Sequence, residues 1–295
     1  MKAADPSRRS VLALAGASLL AACSRKAKPA AAGGSAAPGQ PERGSLEWAV
    51  AGDWRQAADR QRDAARHPLE TLQFFGLQPG MTVVELWPGA GWYTDILAPF
   101  LAATKGKLYA ANLQTPNPDD PAADQVTAAY KKMIADKPDL YGPVTFTAFG
   151  PTSGPLAPAG AADLVLFFNV NNWMAAGIAE KAFRDAFAAL RAGGTLGVEQ
   201  ARASVGGPQD PLAASGYVQT DFVKQLAAEA GFRFDGASEV NANPKDNHDH
   251  PFGVWTLPPT RRSSPWGKPP NPVFDHHKYD LIGESDRMTL RFVKP

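Results

Sequence analysis

The sequence has almost no cysteine, no apolar run long enough to cross a membrane and no excess of charge of either sign. Each absence removes a class of function. Cys23 is the single cysteine in 295 residues, so no disulfide can form within the chain. A formal net charge of +1 gives no electrostatic case for a nucleic acid or a polyanionic substrate. Trp48, Trp54, Trp92, Trp173 and Trp255 read as core or lid anchors and not as a stacking platform for bases. The expected partner is a small molecule. The N-terminal apolar run, Val11 to Leu20, falls short of the roughly 20 residues a spanning helix needs. There is no internal repeat. With 44% hydrophobic and 20% charged residues, the chain has material for a full globular core.

What is present begins with "SRRSVLALAGASLLAACS": a charged start at Arg8 and Arg9, a short apolar run and small residues before Cys23, the pattern of an export signal over residues 1–22. "LAAC" resembles the lipobox of bacterial lipoproteins, which implies that Cys23 is diacylated and becomes the new N-terminus. Ser7-Arg8-Arg9 also looks like a twin-arginine signal, although Val11 and the missing downstream Lys depart from the fuller pattern. An ordinary uncleaved anchor is the alternative. Once lipidated, the chain has no free thiol, which excludes a cysteine nucleophile and a Cys-ligated zinc site. Residues 23–45, rich in Ala, Pro, Gly and Ser, read as a flexible tether. The expectation is an exported protein, lipid-anchored and facing the periplasm, with Ser24 pointing to the outer membrane.

From Leu46 the chain reads as one domain over 46–295. A charged helical segment and "HPLETLQFFGL", closed by Gly76, would form a cap ahead of the first strand. "MTVVELW", "GKLYAANL", "PVTFTAFG", "AADLVLFFNVNNW" and "TLGVEQAR" read as strands alternating with helices, the last of those helices ended by Gly193-Gly194. This alternation argues an α/β fold with a doubly wound, mostly parallel sheet. Residues 241–287, dense in Pro, His and Asp, would form a long arm ordered by buried anchors such as Trp255 and Trp266. "RMTLRFVKP" alternates Met288, Leu290 and Phe292, predicting a final strand over 288–294.

Ligands of such sheets bind beyond the carboxyl ends of the strands, next to the first strand's turn. There Gly89 and Gly91 allow close backbone approach at a helix N-terminus. The dinucleotide fingerprint fails, because Thr94 stands where its third glycine is needed, and no phosphate-binding Gly-Lys-Ser/Thr follows. What remains is Glu85 followed by Trp87, Gly89 and Gly91. This resembles the first motif of class I S-adenosylmethionine-dependent methyltransferases, with Trp87 in the place of the first glycine. "ELWPGAGWYTDILAPFL", "FNVNNWMAAG", "NANPKDNHDHPFGVWTLPP" and "GESDRMTLRFVKP" look like a bacterial group of exported methyltransferase-like proteins, a resemblance that covers Leu46 to Pro295. Members of that group often carry His where this chain has Asn171 or Asn172 and Gln200, so catalytic bases at those positions would be missing here.

The resemblance implies the Rossmann-like fold of class I methyltransferases and S-adenosylmethionine as cofactor. It implies cofactor binding by Glu85 (to the turn or to the cofactor's amino-acid end), Trp87, Gly89 and Gly91. It further implies Asn112 at the ribose, where the family has an acid, and Phe149 against the adenine. Asn169 and Asn172 stand where methyltransferases reach the transferred methyl and its acceptor, although the same amides could instead cap the helix that follows. Glu199 ends the fifth strand. His250, in a stretch that also contains His248, Asp246 and Asp249, would line the site as a base or ligand. The same string suits a solvated loop, and no metal is assigned. Two further functions stay open: a non-catalytic envelope lipoprotein using the cleft for another small ligand, and a metal-dependent enzyme built on the His-rich arm.

Overall fold

The structure, a computed structural model, describes Gly39, residues 41–116 and residues 121–295. The export signal over 1–22 and the lipidation site Cys23 lie outside the described residues, as does most of the tether over 23–45. Seven strands form one sheet: β1 (Thr82–Leu86), β2 (Lys107–Leu113), β3 (Val144–Phe149), β4 (Ala162–Phe168), β5 (Leu190–Ala201), β6 (Arg233–Ser238) and β7 (Arg287–Val293). Their order is β3-β2-β1-β4-β5-β7-β6. The pairings from β3 to β5 are parallel, and β7 runs antiparallel to both neighbours. The mostly parallel, doubly wound sheet is therefore as expected, with its switch point between β1 and β4.

Period-two alternation sorts the core into two faces. Val84, Leu86, Val165 and Phe167 pack toward helices Asn171–Ala175, Ala179–Ala189 and Thr220–Glu229. Val83, Leu164 and Leu166 pack toward helices Leu46–Val50, Pro68–Phe75, Thr94–Ala103 and Pro121–Asp136. The expected cap is present. Ser45 Oγ accepts from the amide of Trp48 at 3.1 Å to start its first helix, and Pro68 and Gly76 bracket its last. Trp54 Nε1 donates to the Asp95 carbonyl at 2.8 Å, tying the cap to helix Thr94–Ala103.

The expected last strand is present as β7, which lies between β5 and β6, so that Thr289 is buried along with Met288, Leu290 and Phe292. Two expectations need correction. Helix Ala179–Ala189 ends before Gly193-Gly194. The amide of Gly193 bonds the Lys294 carbonyl at 2.8 Å, and the Lys294 amide bonds the Gly194 carbonyl at 2.9 Å, so the ladder takes both glycines into β5. In the arm, Trp255 is only half-buried and Trp266 is exposed. The arm is held by polar groups instead. The buried Asp246 carboxylate accepts from the Tyr217 hydroxyl, His250 Nε2 and the amides of His248 and Asp286 at 2.8–3.0 Å. Asn241 Nδ2 bonds the hydroxyls of Thr71 and Thr289.

The cap and the sheet meet at Gly197 on β5, where an added Cβ would lie 2.5 Å from Cγ of the Phe75 ring. Gly197→Ala is therefore expected to lose about 1–3 kcal/mol of stability by overpacking, read as a lower urea midpoint at unchanged slope. An unchanged midpoint would show that the cap moves freely off the sheet.

Candidate functional site

The chain leaves β1 through a turn in which Trp87, Gly89 and Gly91 all have positive φ, at 48°, 60° and 94°. Trp87 keeps the left-handed backbone that glycine would adopt without strain. Its indole is anchored by a hydrogen bond from Nε1 to the Phe149 carbonyl at 3.0 Å and by edge contacts with Phe149 and Trp173. The two glycines differ in their surroundings. A Cβ on Gly89 would meet nothing within 4 Å, whereas one on Gly91 would lie 2.7 Å from Cε of Met133 and 3.2 Å from the Tyr130 ring. Gly89 faces open space; Gly91 permits the close packing of helix Pro121–Asp136.

Beyond this turn lies a cleft of about 690 Å³, lined by Trp87, Gly89, Asn112, Leu113, Val126 and Asn172 among others. Asn112, near the end of β2, donates from Nδ2 to the Ala110 carbonyl at 3.0 Å. Its Oδ1 has no hydrogen-bond partner among the described residues, leaving an acceptor for a ligand hydroxyl. Phe149 is fully buried, and Trp87, which packs on it, lines the cleft in its place. Glu85 is also buried. It accepts from Oγ1 of Thr94, the first residue of helix Thr94–Ala103, at 2.6 Å.

A second hollow, of about 240 Å³, is lined by Asn169, Asn172, Trp255, Glu284 and the arginines 62, 66 and 287, among others. Asn172 lines both spaces. Asn169, just past β4, has φ of 70°, a conformation Asn tolerates better than most residues, and its Oδ1 accepts from Arg287 Nη2 at 2.8 Å. Asn171 Nδ2 donates to Asn172 Oδ1 at 3.1 Å, and the Asn171 amide donates to Gln200 Oε1 at 3.0 Å. No side chain caps helix Asn171–Ala175, so the capping alternative for these amides is not the one the structure takes.

Beneath the hollow, Glu199 has no solvent exposure. Its Oε1 accepts from Arg287 Nε at 2.5 Å and Arg66 Nη1 at 3.3 Å, and its Oε2 from the Tyr93 hydroxyl at 2.7 Å. The Tyr93 ring stacks on Phe168 at 3.7 Å between centroids. Burial and the adjacent Glu199 carboxylate push the Tyr93 hydroxyl far above its ordinary range, which keeps it a proton donor. Glu284 accepts from Arg62 Nε at 2.7 Å and Arg66 Nε at 2.6 Å. Burial alone would raise the Glu284 pKa, but the Arg66 and Arg62 charges outweigh it and hold the carboxyl below its ordinary value.

The structure thus brings Trp87, Gly89, Asn112, Asn169 and Asn172 to two adjoining spaces, with Glu85, Gly91 and Phe149 in the packing behind them. His250 lies elsewhere, fixed on Asp246 at 2.8 Å. Among the described residues no cluster of three or more His, Cys, Asp or Glu side chains is disposed to hold a metal ion. Sequence reasoning missed Arg62, Arg66, Tyr93, Glu284 and Arg287. Their signals were present, as the i,i+4 pair of arginines in "RQRDAAR" and the charges of "GESDR", but nothing in either string says which cavity they face.

No protein-family model matches the chain, and no curated protein does. Among solved structures, the [4+2]-cyclase SpnF superposes with a TM-score of 0.52 at 14% identity, covering 83% of this chain and 84% of that chain. A SAM-dependent methyltransferase from Aquifex aeolicus gives 0.46 at 21% identity, covering 61% of this chain and 87% of that one. Phosphoethanolamine N-methyltransferase 2 of Haemonchus contortus, in complex with S-adenosyl-L-methionine, gives 0.46 at 13% identity, covering 78% and 52%. The sheet order with its antiparallel β7 is that of the class I methyltransferase Rossmann-like fold. The chain is distantly similar in structure to SAM-dependent methyltransferases, and at these identities the likeness speaks for fold alone.

Burial is the main cause that raises the Glu85 carboxyl to about 8; the Thr94 hydrogen bond opposes this and Asp95 adds to it. A folded pKa above the unfolded one stabilises the native state below the unfolded pKa, and this contribution is lost as pH rises through the folded value. Glu85→Gln should therefore gain stability relative to the native sequence between pH 5 and pH 8, by at most about 1.4 kcal/mol per pH unit. Parallel pH profiles of urea unfolding would show that the buried acid is already ionised.

Proposed function

We propose that this chain transfers a methyl group from S-adenosylmethionine to a small acceptor in the cell envelope, exported and held at the membrane by a lipid on Cys23. The observation that carries the reading is that the cleft beside the glycine turn and the polar hollow adjoin at Asn172. The cleft volume of about 690 Å³ lies within the roughly 300–1,000 Å³ of ordinary ligand sites. The unpartnered Asn112 Oδ1 suits a ribose hydroxyl, and the open face of Gly89 suits close approach of a ligand to the backbone. S-adenosylmethionine bound there supplies an electrophilic methyl on a sulfonium, whose transfer depends mainly on in-line positioning.

Asn169 and Asn172 do that positioning. Each has its carbonyl oxygen engaged by a neighbour, which leaves the Nδ2 groups to orient an acceptor. Neither amide is a useful base, and Glu199 is enclosed by its three donors. The acceptor's attacking atom therefore brings its own lone pair. A second reading, a non-catalytic lipoprotein that binds another small ligand in the cleft, is favoured by the indole of Trp87 and the amide of Asn112 where methyltransferases have a glycine and an acid.

Calorimetric titration of the detergent-solubilised full-length chain with S-adenosylmethionine separates the two. The methyltransferase reading expects micromolar binding that Gly89→Val abolishes. Asn112→Asp should tighten it by about tenfold, because a carboxylate bond to the ribose is roughly twice as strong as an amide bond. No binding up to millimolar concentration would leave the second reading standing.

A further inference from the structure

The hollow beside Asn172 carries more positive charge than its own carboxylates balance. Arg62, Arg66 and Arg287 line it with Glu284, and Glu199 lies beneath, so three guanidinium groups face two carboxylates. Each guanidinium spends two nitrogens on the protein. Arg62 uses Nε and Nη2 on Glu284. Arg66 uses Nε on Glu284 and Nη1 on Glu199. Arg287 uses Nε on Glu199 and Nη2 on Asn169. One terminal nitrogen of each, Nη1 of Arg62, Nη2 of Arg66 and Nη1 of Arg287, has no hydrogen-bond partner among the described residues.

Arg287 is the telling case. Its side chain is only 3% exposed, and Arg66 shares with it a single oxygen of Glu199. A buried cation with an unspent donor beside a second cation is costly unless something pairs with it. Consistent with this, burial and the neighbouring Arg66 charge pull the Arg287 guanidinium below its ordinary value against the pull of Glu199 and Glu284. The remaining walls include Trp255, Pro258 and Pro259, apolar surfaces that suit the body of a small ligand. Methyl transfer by itself requires none of these charges.

We propose that the hollow holds the anionic end of the ligand, a carboxylate or phosphate group, between Arg62, Arg66 and Arg287. Calling that ligand the methyl acceptor rests on the methyltransferase reading; the anion site itself does not. Planar guanidinium groups with free N–H pairs are the residues best matched to such oxyanions. With its charged end fixed there, an acceptor would extend its neutral nucleophilic atom toward Asn172 and the cleft.

The test is calorimetric titration of the solubilised full-length chain with inorganic phosphate and, separately, with succinate, at constant ionic strength. Binding at about millimolar affinity or better is expected for one of the two, and the tighter one identifies the group as phosphate or carboxylate. Arg287→Lys should weaken it by about tenfold or more. Arg62→Gln, at a partly exposed site on the cap, provides the same comparison should the buried substitution prevent folding. Lys224→Ala, a surface cation elsewhere, should change nothing. Failure of both anions to bind at about 50 mM, or affinities indifferent to Arg62 and Arg287, would overturn the proposal. S-adenosylmethionine binding without anion binding would sink this inference alone, whereas anion binding without S-adenosylmethionine binding would sink only the methyltransferase reading.

Discussion

Glu199 presents a carboxylate without solvent exposure on the interior strand β5, and three donors from distant parts of the chain hold it. They are Arg66 from the cap, Tyr93 from the turn after β1 and Arg287 at the start of β7. Leaving such a group unpaired would cost several kcal/mol, so the cap, the turn and the last strand are each positioned by the same requirement. Arg66 then passes the constraint on to Glu284, and Arg287 to Asn169. The polar hollow exists because these long side chains satisfy the buried carboxylate from one side and leave their outer nitrogens on the other.

The turn after β1 shows how one backbone path serves different ends along a few residues. Gly89 leaves space for a ligand, Gly91 lets a helix pack close, and Trp87 accepts a strained φ because its indole is bonded to the Phe149 carbonyl and packed on aromatic neighbours. A glycine at position 87 would give a roomier cleft with one wall missing. The tryptophan supplies that wall, joined to the end of β3 through the Phe149 carbonyl. Asn112 adds to that wall a neutral amide that donates to the Ala110 carbonyl and leaves its own Oδ1 without a partner among the described residues.

The C-terminal arm illustrates the difference between residues that resemble a site and residues that form one. His248, His250, Asp246 and Asp286 carry the chemistry of a metal centre. In the fold they join Tyr217, Ser204 and Arg202 in a set of hydrogen bonds that pins the arm to the sheet. Polar groups take that task because the arm's tryptophans are not buried enough to do it. The candidate site instead gathers at the strand ends, around Arg62, Arg66, Asn169 and Arg287, whose spacing in sequence gives no hint of their proximity.

The sequence by itself determined the order of strands and helices, the cap and the turn at Gly89 beside which the cleft opens. These follow from local periodicity and turn residues, both properties of short stretches, whereas the candidacy of Asn112, Asn169 and Asn172 rests on the resemblance to class I methyltransferases. The sequence did not determine that β7 inserts between β5 and β6, that Gly193 and Gly194 belong to a strand, or that Arg62, Arg66 and Arg287 meet. Strand pairing and the satisfaction of a buried charge depend on partners separated by many tens of residues. Only the tertiary structure, which brings Arg66 and Arg287 to one oxygen of Glu199, decided where the positive charge of the site lies.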